Sequence, residues 1–171
     1  MTDVPPLGAA ADRLQAATAA FLALGPGVRA RGPWPLAAAF GTEPEADWGP
    51  PEVLAHVAEM LPFWLGEVER ILEGDAAAPV PFGRVATDTV RIGVIGRDRT
   101  VPLRELWARI GSDGARVVAR MLELDAGEAG RIGLHPRLGE MTVAHLFDRF
   151  VVTHIEEHVT QLEATLARRP A

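Results

Sequence analysis

Apolar residues recur every three to four positions along four segments of the chain, and this is the period of amphipathic helices. The four segments span residues 7–24, 50–73, 103–124 and 140–166. Gly25-Pro26-Gly27 ends the first segment and Glu73-Gly74 ends the second. With no convincing sheet pattern between them, these segments predict an all-α fold in the form of a four-helix bundle.

The second and third predicted helices are separated by a long connection over residues 74–100. Its run VRIGVIG, residues 90–96, has the composition of a short strand or hairpin, although two glycines weaken that prediction. A connection of this length often shapes a binding site, so we expect it to border one. Pro62 lies inside the second predicted helix and is expected to kink it just after the turn that carries His56.

Composition narrows the classes of protein that fit. A chain of 171 residues suits one domain, which we assign to residues 1–171. The net charge of -6 argues against a nucleic-acid or anionic-membrane surface. The absence of cysteine excludes disulfides, thiolate ligands and a cysteine nucleophile. The N-terminus lacks a secretory pattern and no stretch is apolar enough to span a membrane, so a cytoplasmic protein is expected.

His154 and His158 lie one helical turn apart near the centre of the apolar face of the fourth helix. Two imidazoles with this spacing can bind the same metal ion. The alternative is a pair of hydrogen-bonded core histidines, but burying two unpaired imidazoles costs free energy twice. His56, at the edge of the apolar face of the second helix, supplies a candidate third ligand.

Three neutral nitrogen ligands favour Zn or Ni, with Fe or Mn as further candidates, over Ca or Mg. They also leave a coordination position open to water or substrate, which is typical of catalytic sites.

Glu59 and Glu157 are candidate catalytic groups that would orient a ligand imidazole or accept a proton, and the alternative for each is a solvated surface carboxylate. Gln161 is a candidate hydrogen-bonding partner of a ligand. His135 and His145 fall in a link and on a polar face, where no special role is expected.

Two stretches resemble the DinB-like superfamily. The phrase DWGPPEVLAHVAEMLPFW, residues 47–64, is similar to the start of that superfamily's second helix, and THIEEHVTQLEATL, residues 153–166, is similar to its closing helix. The resemblance implies a four-helix bundle with a long crossover connection between helices 2 and 3, and a divalent metal held by three histidines. It implies a packing role for Trp48. Ile155 stands where many members carry an acidic residue, so no role for that carboxylate is carried over.

Members of the superfamily include transferases and isomerases that use low-molecular-weight thiols, so the resemblance implies a metal-dependent enzyme that activates such a thiol, or water, to attack a small-molecule substrate. It also implies a homodimer. The alternative is a non-enzymatic ligand- or partner-binding bundle with a structural or vestigial metal. The connecting segment carries four arginines that would hold a carboxylate-bearing thiol, the alternative being surface charges: Arg84, Arg91, Arg97 and Arg99.

Overall fold

The computed structural model describes residues 7–38 and 45–169, and these form mostly helices with one small sheet. The helices are α1 (Leu7–Ala23), α2 (Gly25–Ala30), α3 (Pro50–Glu73), α4 (Thr89–Asp98), α5 (Leu103–Glu123), α6 (Ala126–Ala129), α7 (Val143–Phe147) and α8 (Thr153–Arg168). The strands are β1 (Val80–Pro81), β2 (Ile132–His135) and β3 (Gly139–Thr142). None of the described helices is long and apolar enough to cross a membrane.

The long helices bury the apolar faces that their sequence period predicts. Helix α1 packs against α5 and α8, and α3 also packs against α5 and α8. The largest fully buried side chains include Phe21 of α1, Leu61 of α3 and Met121 of α5. The prediction of a mostly helical protein is therefore confirmed, with each of the four predicted segments containing a long helix.

The N-terminal half of α3 is the most enclosed part of the fold. Every residue from Pro50 to Leu61 is buried, including three with polar side chains, namely Glu52, His56 and Glu59. Proline is tolerated in the first turn of a helix, which suits the start at Pro50. The helix runs on through Pro62, whose ring is exposed. Because this half of α3 is surrounded on all sides, its polar side chains must find partners inside the protein.

The last predicted helix is continuous from Val143 to Arg168 but contains one wide turn. Residues Asp148–Val152 form a π-helical segment between α7 and α8, and such turns occur frequently at functional sites. The insertion explains why the consecutive residues Val151 and Val152 are both buried. The predicted start near Glu140 is three residues early, because Gly139–Thr142 form β3 and the Thr142 hydroxyl caps the helix by accepting from the His145 N–H.

The strand or hairpin predicted for residues 90–96 is wrong, since these residues lie in α4. Asp88 caps that helix by accepting from the Arg91 N–H at 2.8 Å. The buried positions are Arg91, Ile95 and Asp98, which have helical spacing. Two of these three side chains are charged, so a search for apolar periodicity could not find the helix.

The absence of a sheet is also a wrong prediction. Strand β1 pairs parallel with β2, and β2 pairs antiparallel with β3. The strands have two to four residues and contain glycine or proline, so they lack the alternating pattern of longer strands. A Cβ at Gly133 would lie 2.5 Å from the Phe82 ring, so this position of β2 requires glycine for close packing. The sheet places β2, and with it His135, against the side of the helical core.

Candidate metal centre

Three histidine side chains from two helices meet at one point inside the protein. His56 of α3 and His154 of α8 approach with their Nε2 atoms 2.8 Å apart, and the Nε2 atoms of His154 and His158 are 3.2 Å apart. The three rings are roughly perpendicular to one another, with interplanar angles of 77° to 88°. The three ligands predicted from the sequence are thus brought together, each with the same ring nitrogen turned inward.

These distances are close to those of nitrogens that share one metal ion, although the 2.8 Å contact is slightly shorter. Two imidazole nitrogens about 2.1 Å from a common metal lie about 3.0 Å apart at a right angle and about 3.4 Å apart at the tetrahedral angle. Hydrogen bonding alone accounts for the group less well. His154 Nε2 has either one proton or one lone pair in the plane of its ring, so it cannot make well-directed hydrogen bonds to both His56 and His158.

Gln161, one turn beyond His158, fixes which nitrogen of His158 carries the proton. The Gln161 Nε2 amide donates to the backbone carbonyls of Glu45, at 2.9 Å, and Trp48, at 3.4 Å. Its Oε1 must therefore accept, and it lies 2.8 Å from Nδ1 of His158. Because Nδ1 carries the proton, the lone pair of Nε2 points into the centre, as metal binding requires. The predicted hydrogen bond between Gln161 and a candidate ligand is present, and metal binding by His158 stays a prediction.

Partial or complete desolvation favours the neutral form of all three rings. Desolvation lowers the pKa of His154 to about 3, with further contributions from His158 and Arg91. Desolvation also lowers the pKa of His158 to about 4, against the opposing effect of the Gln161 hydrogen bond. His56 is fully enclosed and its pKa falls well below the ordinary value for the same reason. Neutral imidazoles at neutral pH are the form that binds metals.

Glu45 is a fourth member of the group that the sequence interpretation missed. One oxygen from Glu45 and one nitrogen from each histidine all lie within 4.8 Å of one another, and Glu45 Oε2 is 3.9 Å from His56 Nε2. This group could hold a metal ion. Glu45 begins a single 3-10 turn, Glu45–Asp47, and its other oxygen accepts from Arg91 of α4. Glu45 lies outside the segments with helical periodicity, so that pattern could not place it near the histidines. The sequence indicates its position only through its location three residues before Trp48.

Trp48 closes the centre on the side of this turn. Its ring is buried and meets His56 edge to face, with centroids 5.7 Å apart. The packing role expected for Trp48 is therefore confirmed. Because Gln161 holds the Trp48 and Glu45 carbonyls, one side chain of α8 orients both a histidine ligand and the turn that carries the carboxylate.

The two predicted catalytic carboxylates have different surroundings. Glu59 is buried and both of its oxygens accept from Nη2 of Arg84, at 2.6 Å for Oε2, so the alternative of a solvated carboxylate is wrong for Glu59. Glu157 is exposed and lies 3.6 Å from His154 Nδ1, close enough to orient that ring. A catalytic role for either residue stays a prediction.

The four arginines of the connecting segment divide into two groups. Arg84 and Arg91 have side chains only 11% and 9% exposed, and they border the histidines. Arg97 is 70% exposed, as the surface alternative predicts. Arg99 donates to Glu52 and to the Ala37 carbonyl and does not line either cavity beside the histidines.

A cavity of about 210 Å³ opens directly onto two of the histidines. Its lining includes Met60, Trp64 and Phe150 on the apolar side, and Arg84 and Arg91 on the charged side. A second cavity, of about 300 Å³, borders His154 and His158, and Glu45 also lines it. The connecting segment supplies Arg84 and Arg91 to the lining of the first cavity, and its role in a binding site stays a prediction.

The two remaining histidines lie outside the metal group. His145 is half-buried in the first turn of α7. His135 is buried in β2, where it stacks on Phe150 with ring centroids 5.2 Å apart. Its Nδ1 accepts from the N–H groups of Arg137 and Leu138, and burial lowers its pKa. His135 thus supports the cavity wall through Phe150, a packing role that its position before a proline did not reveal.

No protein-family model, curated protein or solved structure matches this chain.

Proposed function

We propose that this protein binds one divalent transition-metal ion through His56, His154 and His158 and uses it as a thiol- or water-activating transferase. The observation that carries the proposal is the convergence of three neutral Nε2 atoms within 2.8 to 3.2 Å for the two contacts with His154. The hydrogen bond from His158 Nδ1 to Gln161 supports it, since an imidazole that binds a metal usually donates its second N–H in this way.

The arrangement of the long helices supports a four-helix bundle of the DinB-like superfamily. Helices α1, α3, α5 and the stretch from α7 through α8 would form the bundle, and residues 74–102 would be its long crossover connection. The ligand positions fit that proposal, because one histidine comes from the second bundle helix and two come from the last. We extend the proposal to a single domain over residues 1–171. The homodimer and the small-molecule substrate stay predictions.

The donor set supports zinc or nickel as the resident ion, with iron or manganese as alternatives. Three imidazole nitrogens and one carboxylate oxygen suit borderline divalent ions, whereas calcium and magnesium prefer oxygen alone. Among the described residues that form this group, none offers a sulfur ligand, since the chain has no cysteine.

A divalent ion in such a site lowers the pKa of a bound thiol or water, so that the nucleophile forms near neutral pH. The chain's own residues would supply the rest. Glu45 Oε2 lies 3.9 Å from His56 Nε2 and, when it is not bound to the ion, would accept the proton released from the nucleophile. Glu157 and Gln161 would keep the His154 and His158 rings aligned. Because the chain has no cysteine, the thiol would come from a small molecule.

The test begins with metal analysis of protein purified without a nickel column, followed by incubation of the metal-loaded protein with thiols and an electrophile. His158→Ala is expected to lose both metal and conjugation, whereas the control variant His145→Ala retains both. Stoichiometric metal binding without conjugation or hydrolysis would contradict the enzyme proposal. Absence of metal binding by the unaltered protein would contradict the whole proposal.

The second candidate function is a non-enzymatic binding module with a structural metal. The observation in its favour is that the metal group joins three parts of the chain, namely α3, α8 and the turn at Glu45. A structural metal predicts that a chelator lowers the melting temperature strongly and that no turnover exists. The exposure of His154, whose side chain is 29% accessible, favours the enzyme, because a substrate can reach that ligand.

A further inference from the structure

The last long helix buries one group of residues before its π-helical segment and another group after it. These residues are Val143, Leu146 and Phe147 in α7, and Ile155, His158 and Leu162 in α8. Each residue of an α-helix turns the chain by about 100°, and in an uninterrupted helix the centres of the two groups would lie about 100° apart around the axis. The chain therefore carries one residue too many for both groups to face the core from a regular helix.

The π-helical segment Asp148–Val152 absorbs that extra residue. The Thr153 N–H donates to the carbonyl of Asp148, which lies one position further back than in an α-helix, so this turn holds one residue more than an α-helical turn. With one residue absorbed, the two buried groups come into line on the same face of the helix. His154 then lies at the edge of that face, in agreement with its partial exposure of 29%. The π-helical segment thus sets the direction in which the two histidines of α8 point.

Arg13 of α1 joins the two ends of this wide turn. Its Nη1 donates to Asp148 at 2.6 Å, and its Nε and Nη2 donate to the two oxygens of Glu156 at 3.0 and 2.7 Å. Asp148 is the first residue of the π-helical segment, and Glu156 lies in the first turn of α8. A two-bond contact with one carboxylate and a third bond to another carboxylate make this network stronger than a single ion pair at the surface.

Arg13 reaches both carboxylates because the extra residue lies between them. A regular α-helix would place Asp148 and Glu156 about 80° apart around the axis, whereas one absorbed residue reduces this angle to about 20°. If the extra residue were absorbed beyond His158 instead, both histidines of α8 would be turned by about 100° away from the histidine of α3. Arg13 would then also lose one of its two partners, so its three hydrogen bonds favour the observed position of the wide turn.

We infer that Arg13 is a positioning residue for the metal group: it holds the extra residue between Asp148 and Glu156 and thereby keeps the two histidines of α8 turned toward the histidine of α3. Arg13 lines neither cavity beside the histidines, so it acts only through the backbone of the last helix. This inference rests on the proposed function, because the direction of these side chains matters to a metal ion only if they bind one.

The test titrates the metal-free protein with Co²⁺, well below its melting temperature, and records affinity and visible spectrum. Arg13→Gln is expected to weaken Co²⁺ binding about tenfold or more, as the loss of groups that orient metal ligands does, and to change the spectrum. The matched control is Arg120→Gln, which breaks a two-bond ion pair between α5 and Glu69 of α3. This control is expected to lower the melting temperature by a similar amount and to leave Co²⁺ affinity and spectrum unchanged.

Deletion of the exposed Arg149 tests the register itself, because it removes the extra residue from the wide turn. The buried groups of α7 and α8 then align in a regular helix without help from Arg13, so adding the deletion to Arg13→Gln is expected to restore Co²⁺ affinity. Equal Co²⁺ affinity in Arg13→Gln and Arg120→Gln would overturn the inference, as would a double variant that does not regain affinity. Failure of the proposed function is seen separately, because the unaltered protein would then give no ligand-field spectrum with Co²⁺.

Discussion

The two sides of the metal group are built differently. His56 and His158 project from the buried faces of the long helices α3 and α8, and the half-buried His154 lies one turn before His158 in α8. Glu45 projects from a single 3-10 turn that is held by side chains, chiefly Gln161 and Arg91. A site formed on packed helices is more rigid than one formed on a turn. We therefore expect the histidines to provide affinity and Glu45 to provide an exchangeable position.

The largest expected effect separates these two sides directly. His154→Ala removes a helical ligand and is expected to reduce metal affinity by more than the about 10- to 100-fold that outer-shell partners contribute. Glu45→Gln keeps an oxygen for Arg91 and is expected to reduce metal affinity by about tenfold or less. Competition with a coloured chelator measures both variants. An equal loss in the two would show that the turn is as important to the metal as the helices.

The second effect is a loss of stability of the metal-free protein at acid pH. The folded-state pKa of His154 is about 3 and that of His158 about 4, below the ordinary value, and that of His56 is lowered as well. The unfolded chain therefore takes up protons first as the pH falls, so stability is full above about pH 6.5 and is lost below it. Each histidine contributes a slope of about 1.4 kcal/mol per pH unit.

Urea unfolding in the presence of a chelator at pH 7, 6 and 5 measures this slope. Three histidines together give up to about 4 kcal/mol per pH unit below the unfolded pKa. His158→Gln should reduce the slope by about one third. A free energy of unfolding that does not change between pH 7 and 5 would show that the rings are already protonated, or solvated, in the folded protein.

The same contrast explains what the sequence could reveal. The three histidines lie on continuous helices, so a period of 3.6 residues places them on inward faces without knowledge of the fold. Glu45, Arg84 and His135 reach the site from a turn, an irregular segment and a short strand. Their positions depend on contacts with residues far away in the chain, such as Gln161 with the turn and Phe150 with His135. Local pattern carries no information about such contacts.

Helix α4 shows a further limit of predicting helices from apolar periodicity in the sequence. Its inward face carries Arg91, which pairs with Glu45, and Asp98, which pairs with Arg109 of α5 and with its neighbour Arg97. Burial raises the pKa of Asp98, but hydrogen bonds from Arg97 and Arg109 outweigh that effect and leave the pKa lowered. Charged residues are buried when they are paired, and the sequence does not show the pairing.

The third expected effect concerns Gln161, which contacts both His158 on its helix and the turn that carries Glu45. Gln161→Leu removes the acceptor of His158 Nδ1 and is expected to weaken metal binding about 10- to 100-fold. Gln161→Glu keeps an acceptor but loses the donor to the Glu45 and Trp48 carbonyls.

The Gln161→Glu variant is expected to retain more of the metal affinity than Gln161→Leu and to lose activity through the displaced turn. Metal competition and conjugation rates, measured on both variants, separate the two roles. Gln15→Leu, an exposed glutamine of α1, is the control. Identical behaviour of the two Gln161 variants would contradict a role of this side chain in positioning the turn.

The smallest effect is expected for Glu157, the exposed carboxylate beside His154. Glu157 lies 3.6 Å from His154 Nδ1 but is 67% accessible to solvent, so water and salt screen its interaction with the ring. Glu157→Gln is therefore expected to lower metal affinity by less than about threefold, and added salt should reduce even that difference. Glu163→Gln, an exposed carboxylate on the same helix, measures the effect of charge alone. A loss of more than about tenfold for Glu157→Gln would mean that Glu157 orients His154 as strongly as Gln161 orients His158, and that the exposed edge of the site is as well ordered as its buried side.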